Sequence, residues 1–128
     1  MTTPEGSNVS VLIADDDPLV RRVLRMALES QGYDVHEAGD VQEVIAQAEQ
    51  RHDLVVLDIN MPGGTVRDTL GGLRNVHPDL PILVLSGEAT PPDDLPAIRA
   101  DYARKPIDLD DLLSRVRRLL EGSVIAPP

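Results

Sequence analysis

The chain has 128 residues, 41% hydrophobic and 27% charged, a composition that suits one globular domain and argues against disorder. With 12 basic and 22 acidic residues its formal net charge is −10, so phosphate backbones repel it and direct nucleic-acid binding is not expected. Cysteine, tryptophan and phenylalanine are absent, which removes disulfides, thiolate metal sites and most base-stacking surfaces.

Residues 1–8 read as a loose polar lead-in, without the basic-then-apolar pattern of a secretion signal. Val9–Ala14 is nearly all apolar, as a strand buried on both faces must be. Asp17 and Pro18 open a helix. Leu19, Val20, Val23, Leu24, Ala27 and Leu28 give it one apolar face, opposite Arg21, Arg22 and Arg25. Gly32 stops it, and Tyr33–Ala38 is a second strand. Asp40 caps a second helix with Val41, Val44, Ile45 and Ala48 on one side.

Leu54–Asp58 is a third strand, and the loop Asn60–Gly64 follows. A third helix carries Val66, Leu70 and Leu73, weakened by Gly71-Gly72. His77-Pro78-Asp79 turns into a fourth strand, Pro81–Ser86. Pro91, Pro92 and Pro96 then forbid a regular helix throughout, so the fourth helix is expected to be short or irregular. Tyr102–Arg104 is a short fifth strand. Asp108 caps a last helix with Leu109, Leu112, Leu113, Val116, Leu119 and Leu120 inward, Arg115, Arg117 and Arg118 towards its negative end, and Gly122 as its stop. No apolar run, such as Leu54–Leu57 or Ile82–Leu85, approaches the roughly twenty residues of a membrane span. His36, His52 and His77 look scattered and structural or solvated.

Strands alternating with helices in this way predict a doubly wound α/β sheet. Its site should form at the carboxyl ends of the strands. Asp15, Asp16 and Asp17 follow the first strand, Asp58 ends the third, Ser86 ends the fourth, and Lys105-Pro106 follows the fifth. Carboxylates converging on one edge repel one another unless a cation joins them. All-oxygen ligands favour a hard cation, Mg²⁺ before Zn²⁺. A carboxylate there could attack phosphorus and become an acyl phosphate, with the metal, Lys105 and Ser86 holding the phosphoryl oxygens. Asp17 is better explained as the helix cap.

Four segments in order, VLIADDDP at 11–18, VVLDINMPG at 55–63, ILVLSG at 82–87 and YARKP at 102–106, resemble the receiver domains of two-component response regulators. The resemblance spans 9–121 and leaves 122–128 as a tail or linker start. It implies a flavodoxin-like, five-stranded parallel sheet of order 2-1-3-4-5. It further implies that Asp58 takes a phosphoryl group from a sensor histidine kinase, a phosphotransfer protein or a small donor. Mg²⁺, or Mn²⁺ as a substitute, would be held by Asp15, Asp16, Asp58 and the Asn60 backbone carbonyl. Lys105 would pair with the phosphoryl oxygens, and a cis Lys105-Pro106 bond would aim it inward. Ser86 and Tyr102 would act as the switch, and Asn60 and Glu88 would tune self-catalysed dephosphorylation. A bacterial, cytoplasmic signalling module rather than a turnover enzyme follows from the same resemblance.

Two features depart from the family pattern. The interval from Ser86 to Lys105 is shorter than usual and rich in proline, and Thr65-Val66 replaces the usual Asp-Gly after the Met-Pro loop. Dimerisation through the fourth-helix face is therefore left open, as are the kinase and the output partner. Two other functions stay open at this point. A haloacid-dehalogenase-like phosphatase would use Asp15-Asp16-Asp17 and leave Asp58 unexplained. A pseudo-receiver would bind a partner without phosphorylation.

Overall fold

The computed structural model describes residues 9–59, 61–87 and 100–124. Five strands, β1 (Ser10–Ala14), β2 (Asp34–Ala38), β3 (Leu54–Asp58), β4 (Ile82–Ser86) and β5 (Asp101–Arg104), form one parallel sheet in the order β2-β1-β3-β4-β5. The described helices are α1 (Pro18–Glu29), α2 (Val41–Ala48), α3 (Val66–Val76) and α4 (Leu109–Val124). The expected sheet and strand order are therefore present, with strand boundaries within a residue of the sequence reading. Residues 88–99, where an irregular fourth helix was expected, lie outside the described residues. Among those described, no helix is long and apolar enough to cross a membrane.

Strand side chains alternate between two apolar layers. Leu12, Val55, Leu57, Ile82 and Val84 pack with α2 and α3 through Val41, Val44, Leu70 and Leu73. Val11, Ile13, Leu54, Val56, Leu83 and Leu85 pack with α1 and α4 through Leu24, Leu28, Leu112 and Val116. Both faces are covered, which is why the three central strands are almost wholly apolar.

The caps follow the sequence. Asp17 accepts from the Leu19 N–H, Asp40 from Glu43 and Asp108 from Asp111. Gly32 leaves α1 with φ +87°, a conformation that a side chain would strain. Several expectations need correction. Thr65 and Asp68 form a reciprocal capping box, and α3 runs unbroken through the glycine pair. Gly72 has a packing role there: a Cβ on it would lie 2.8 Å from Ile45 Cδ1, so its bare backbone lets α2 and α3 close. Gly71 is exposed with open space around it, and Gly71→Ala is expected to stabilise the fold by about 1 kcal/mol, read as a rise in Tm by calorimetry. An unchanged or lowered Tm would contradict this.

The last helix passes Gly122 and ends at Val124, so its arginines are not in its last turn. Arg115 instead pairs with Asp111 at 2.9 Å and donates to the Tyr102 carbonyl, tying α4 to β5. The histidines are not all scattered. His36 and His52 meet edge to face with ring centroids 5.1 Å apart. His52 is buried, its Nε2–H donates to the Gln47 carbonyl, and its Nδ1 accepts from the Ser10 hydroxyl. Burial pushes its pKa down, so it is a neutral structural residue.

Candidate functional site

Parity along the strands brings the chemistry together. Asp15 continues the face of Val11 and Ile13, Asp58 that of Leu54 and Val56, and Lys105 that of Ala103. All three reach the carboxyl edge of the sheet on the α1–α4 side. Asp15 and Asp58 are only 1% and 6% exposed. The Lys105 ammonium donates to Asp15 Oδ2 and to Asp58 Oδ1, both at 3.1 Å. Burial opposes its charge, but the hydrogen bonds to Asp58 and Asp15 outweigh burial and raise its pKa above the ordinary lysine value. The lysine therefore stays an ammonium. Its peptide bond to Pro106 is cis, as the resemblance implied.

One ammonium faces more than one carboxylate. Asp15, Asp16 and Asp58 each offer an oxygen within 4.8 Å of the other two. Asp16 is exposed, and Asp17 acts as the α1 cap, its side chain accepting from the Leu19 N–H. Ser86 is fully buried at the end of β4, and its carbonyl accepts from the Lys105 N–H at 2.6 Å, fixing where the lysine leaves β5. The Ile59 N–H donates to Leu85 and holds the end of β3 beside β4. Tyr102 is half-buried and packs against the opposite apolar layer. Asn60 and Glu88 lie outside the described residues.

Two features were not read from the sequence. Asp15 is held by its whole outline: its N–H donates to Ala38, its Oδ1 accepts from the Asp17 N–H, and its carbonyl accepts from Arg21 Nη1 at 2.7 Å. Arg21 in turn donates to Glu37 at 3.0 Å. The second feature is an apolar groove of about 510 Å³ lined by Leu19, Val20, Val23, Leu24, Leu85, Lys105, Pro106, Ile107 and Leu109. Leu19 and Val23, on the apolar face of α1, are 70% and 50% exposed, and Leu109, expected to be inward, is 38% exposed. Helical spacing places these residues on one side without saying what covers them. The groove meets the acid cluster at Lys105.

The comparisons agree with this geometry. The family model for the response regulator receiver domain matches residues 11–117. Response regulator MprA of Mycolicibacterium vanbaalenii is 40% identical over 116 residues, covering 88% of this chain and 50% of that protein. The chain spans about half the length of such curated relatives. A CheY-like response regulator receiver domain protein from Methanospirillum hungatei superposes with a TM-score of 0.87 at 26% identity, covering 92% of this chain and 98% of that one. Response regulator TrrA of Thermotoga maritima, solved in complex with Mg²⁺ and BeF, superposes at 0.78 with 30% identity, covering 87% and 98%. A phosphatase of the haloacid-dehalogenase kind is not favoured by these findings. A buried acid pair bridged by lysine, the 2-1-3-4-5 sheet and the family match together show that the chain belongs to the response regulator receiver domains of two-component signalling.

Proposed function

We propose that Asp58 accepts a phosphoryl group from a histidine kinase or phosphotransfer protein and that the phosphorylated surface controls an output domain or target protein. The buried Asp58 carboxylate, 3.1 Å from the Lys105 ammonium and beside two further acids, carries this reading. A carboxylate oxygen attacks phosphorus as the phosphorus–nitrogen bond of a phosphohistidine breaks. The electron pair of that bond stays on the imidazole nitrogen, the ring leaves as neutral imidazole with a proton on its other nitrogen, and Asp58 becomes an acyl phosphate. Attack of water on phosphorus later breaks the phosphorus–oxygen bond and returns the carboxylate.

The donor set suits a hard cation, because every ligand is oxygen and the three acids converge. Asp15, Asp16, Asp58 and the Asn60 carbonyl would hold Mg²⁺, with Mn²⁺ as a substitute. When bound, the cation neutralises charge on the phosphoryl oxygens. Lys105 shifts from bridging two acids to pairing with the new oxygens. The Ser86 hydroxyl donates to one of them, and Tyr102 follows as the switch, a local charge change biasing a two-state surface. Asn60 and Glu88 help place the hydrolytic water and set the lifetime. The unit begins at residue 9 and includes the whole of α4, which runs past residue 121 to Val124, and its setting is the cytoplasm. Phosphoryl uptake lost in Asp58→Asn and retained in wild type supports the assignment; uptake unchanged in the variant overturns it.

The groove beside Lys105 fits the donor. A protein donor must bring its phosphorylated side chain to Asp58, so its adjoining surface covers what borders the site. An amphipathic helix suits an apolar groove of this size. Val23→Glu on the groove rim is expected to slow phosphotransfer from a kinase about tenfold or more while leaving uptake from acetyl phosphate unchanged. Equal slowing with both donors would contradict docking there.

A further inference from the structure

We propose that Arg21 is a positioning residue for the cation-binding acids, with Glu37 as its anchor. The inference rests on the reading of Asp15, Asp16 and Asp58 as a Mg²⁺ site. Arg21 Nη1 donates to the Asp15 carbonyl at 2.7 Å, and Arg21 Nε donates to Glu37 Oε1 at 3.0 Å. The Asp15 carbonyl belongs to the peptide that joins the two acids. Fixing that plane fixes the direction in which Asp16 leaves, and Asp16 is the exposed member of the cluster. Nothing else described on α1 holds that carbonyl.

A cation next to a cation site would ordinarily weaken it. Glu37 answers that difficulty. It lies at the end of β2, next to the Ala38 whose carbonyl receives the Asp15 N–H. Its second oxygen accepts from Arg25 Nη1 at 2.7 Å. Hydrogen bonds from Arg25 and then Arg21 hold the Glu37 carboxyl below its ordinary pKa against the effect of burial. The Glu37 carboxylate thus neutralises the guanidinium that grips Asp15. The backbone makes room as well: a Cβ on Gly39 would lie 3.0 Å from Arg21 Nη1. The guanidinium meets the carboxylate through Nε and the carbonyl through Nη1, a fixed spacing of two donors that the single nitrogen of a lysine ammonium does not offer.

The test is a Mg²⁺ titration of the whole chain followed by amide NMR, with Tm measured in parallel, for wild type, Arg21→Met, Arg21→Lys, Arg25→Met and Asp58→Asn. Arg21→Met and Arg21→Lys are each expected to weaken Mg²⁺ binding about tenfold, the usual size of an outer-shell loss. Arg25→Met touches Glu37 but not Asp15, so it should lower Tm and leave Mg²⁺ affinity unchanged. Simple electrostatics predicts the reverse for Arg21→Met, since removing a positive charge should tighten a cation site. Tighter or unchanged Mg²⁺ binding in a folded Arg21→Met or Arg21→Lys overturns the inference. Wild type that binds no Mg²⁺ through Asp58 overturns the reading of the site itself, and this inference with it.

Discussion

Replacing Lys105 with methionine is expected to lower stability by about 3 kcal/mol in Mg²⁺-free buffer, with a Tm fall of about 10 °C. Asp15 and Asp58 are buried and share this one ammonium at 3.1 Å. Removing it takes away the ammonium that bridges two buried carboxylates, and breaking a buried pair from one side costs about 3–5 kcal/mol. The lower end applies because Lys105 keeps 29% of its side chain in solvent. Methionine preserves the length of the chain that lines the groove, so packing changes little. Excess Mg²⁺ should then raise the Tm of the variant more than that of wild type, because the cation takes over the part of the bridging ammonium. Calorimetry with chelator and with Mg²⁺ checks both statements. A variant as stable as wild type in chelator, or one that Mg²⁺ leaves unmoved, would contradict them.

Asp58→Asn should abolish phosphoryl uptake and yet stabilise the fold, by about 1–2 kcal/mol. At an effective dielectric of about 20, the ammonium contact at 3.1 Å is worth about 5 kcal/mol and a carboxylate within 4.8 Å opposes by about 3.5 kcal/mol. The substitution loses the attraction to the Lys105 ammonium. It also relieves repulsion from Asp15 and, more weakly, from the exposed Asp16, and it removes the desolvation of a buried charge. Asp15 and Lys105 remain as a one-to-one pair. Function and stability therefore move in opposite directions at this residue, as they do where a site is kept charged for chemistry. Urea unfolding of both proteins reads the sign; a lower midpoint for Asp58→Asn would show that the lysine contact outweighs the repulsion.

The parts of the molecule that depend on local pattern were legible in the sequence. Apolar runs marked the strands, Asp17, Asp40 and Asp108 marked the helix starts, and the strand ends gathered Asp15, Asp58 and Lys105 at one edge of the sheet. What depends on partners distant in the chain was not. Arg21 reads as one of three arginines on a polar face, and only the pairing of β1 with β2 brings Glu37 to it. His52 looks isolated until that same pairing sets His36 beside it and the start of β1 supplies Ser10. Leu19 and Val23 share a helical face with Leu24, but periodicity does not say where the sheet beneath ends, so their exposure had no sequence signal. At Gly122 the opposite error arose: a glycine costs a helix only about 1 kcal/mol, and α4 continues past it to Val124.

The most direct measurement is intact mass after incubation with acetyl phosphate, with and without Mg²⁺, for wild type and Asp58→Asn. The account predicts a gain of one phosphoryl group that requires both Mg²⁺ and Asp58, and that fades as the protein dephosphorylates itself. A gain retained in Asp58→Asn would contradict it. So would wild type that takes up no phosphoryl group and binds no beryllofluoride in the presence of Mg²⁺.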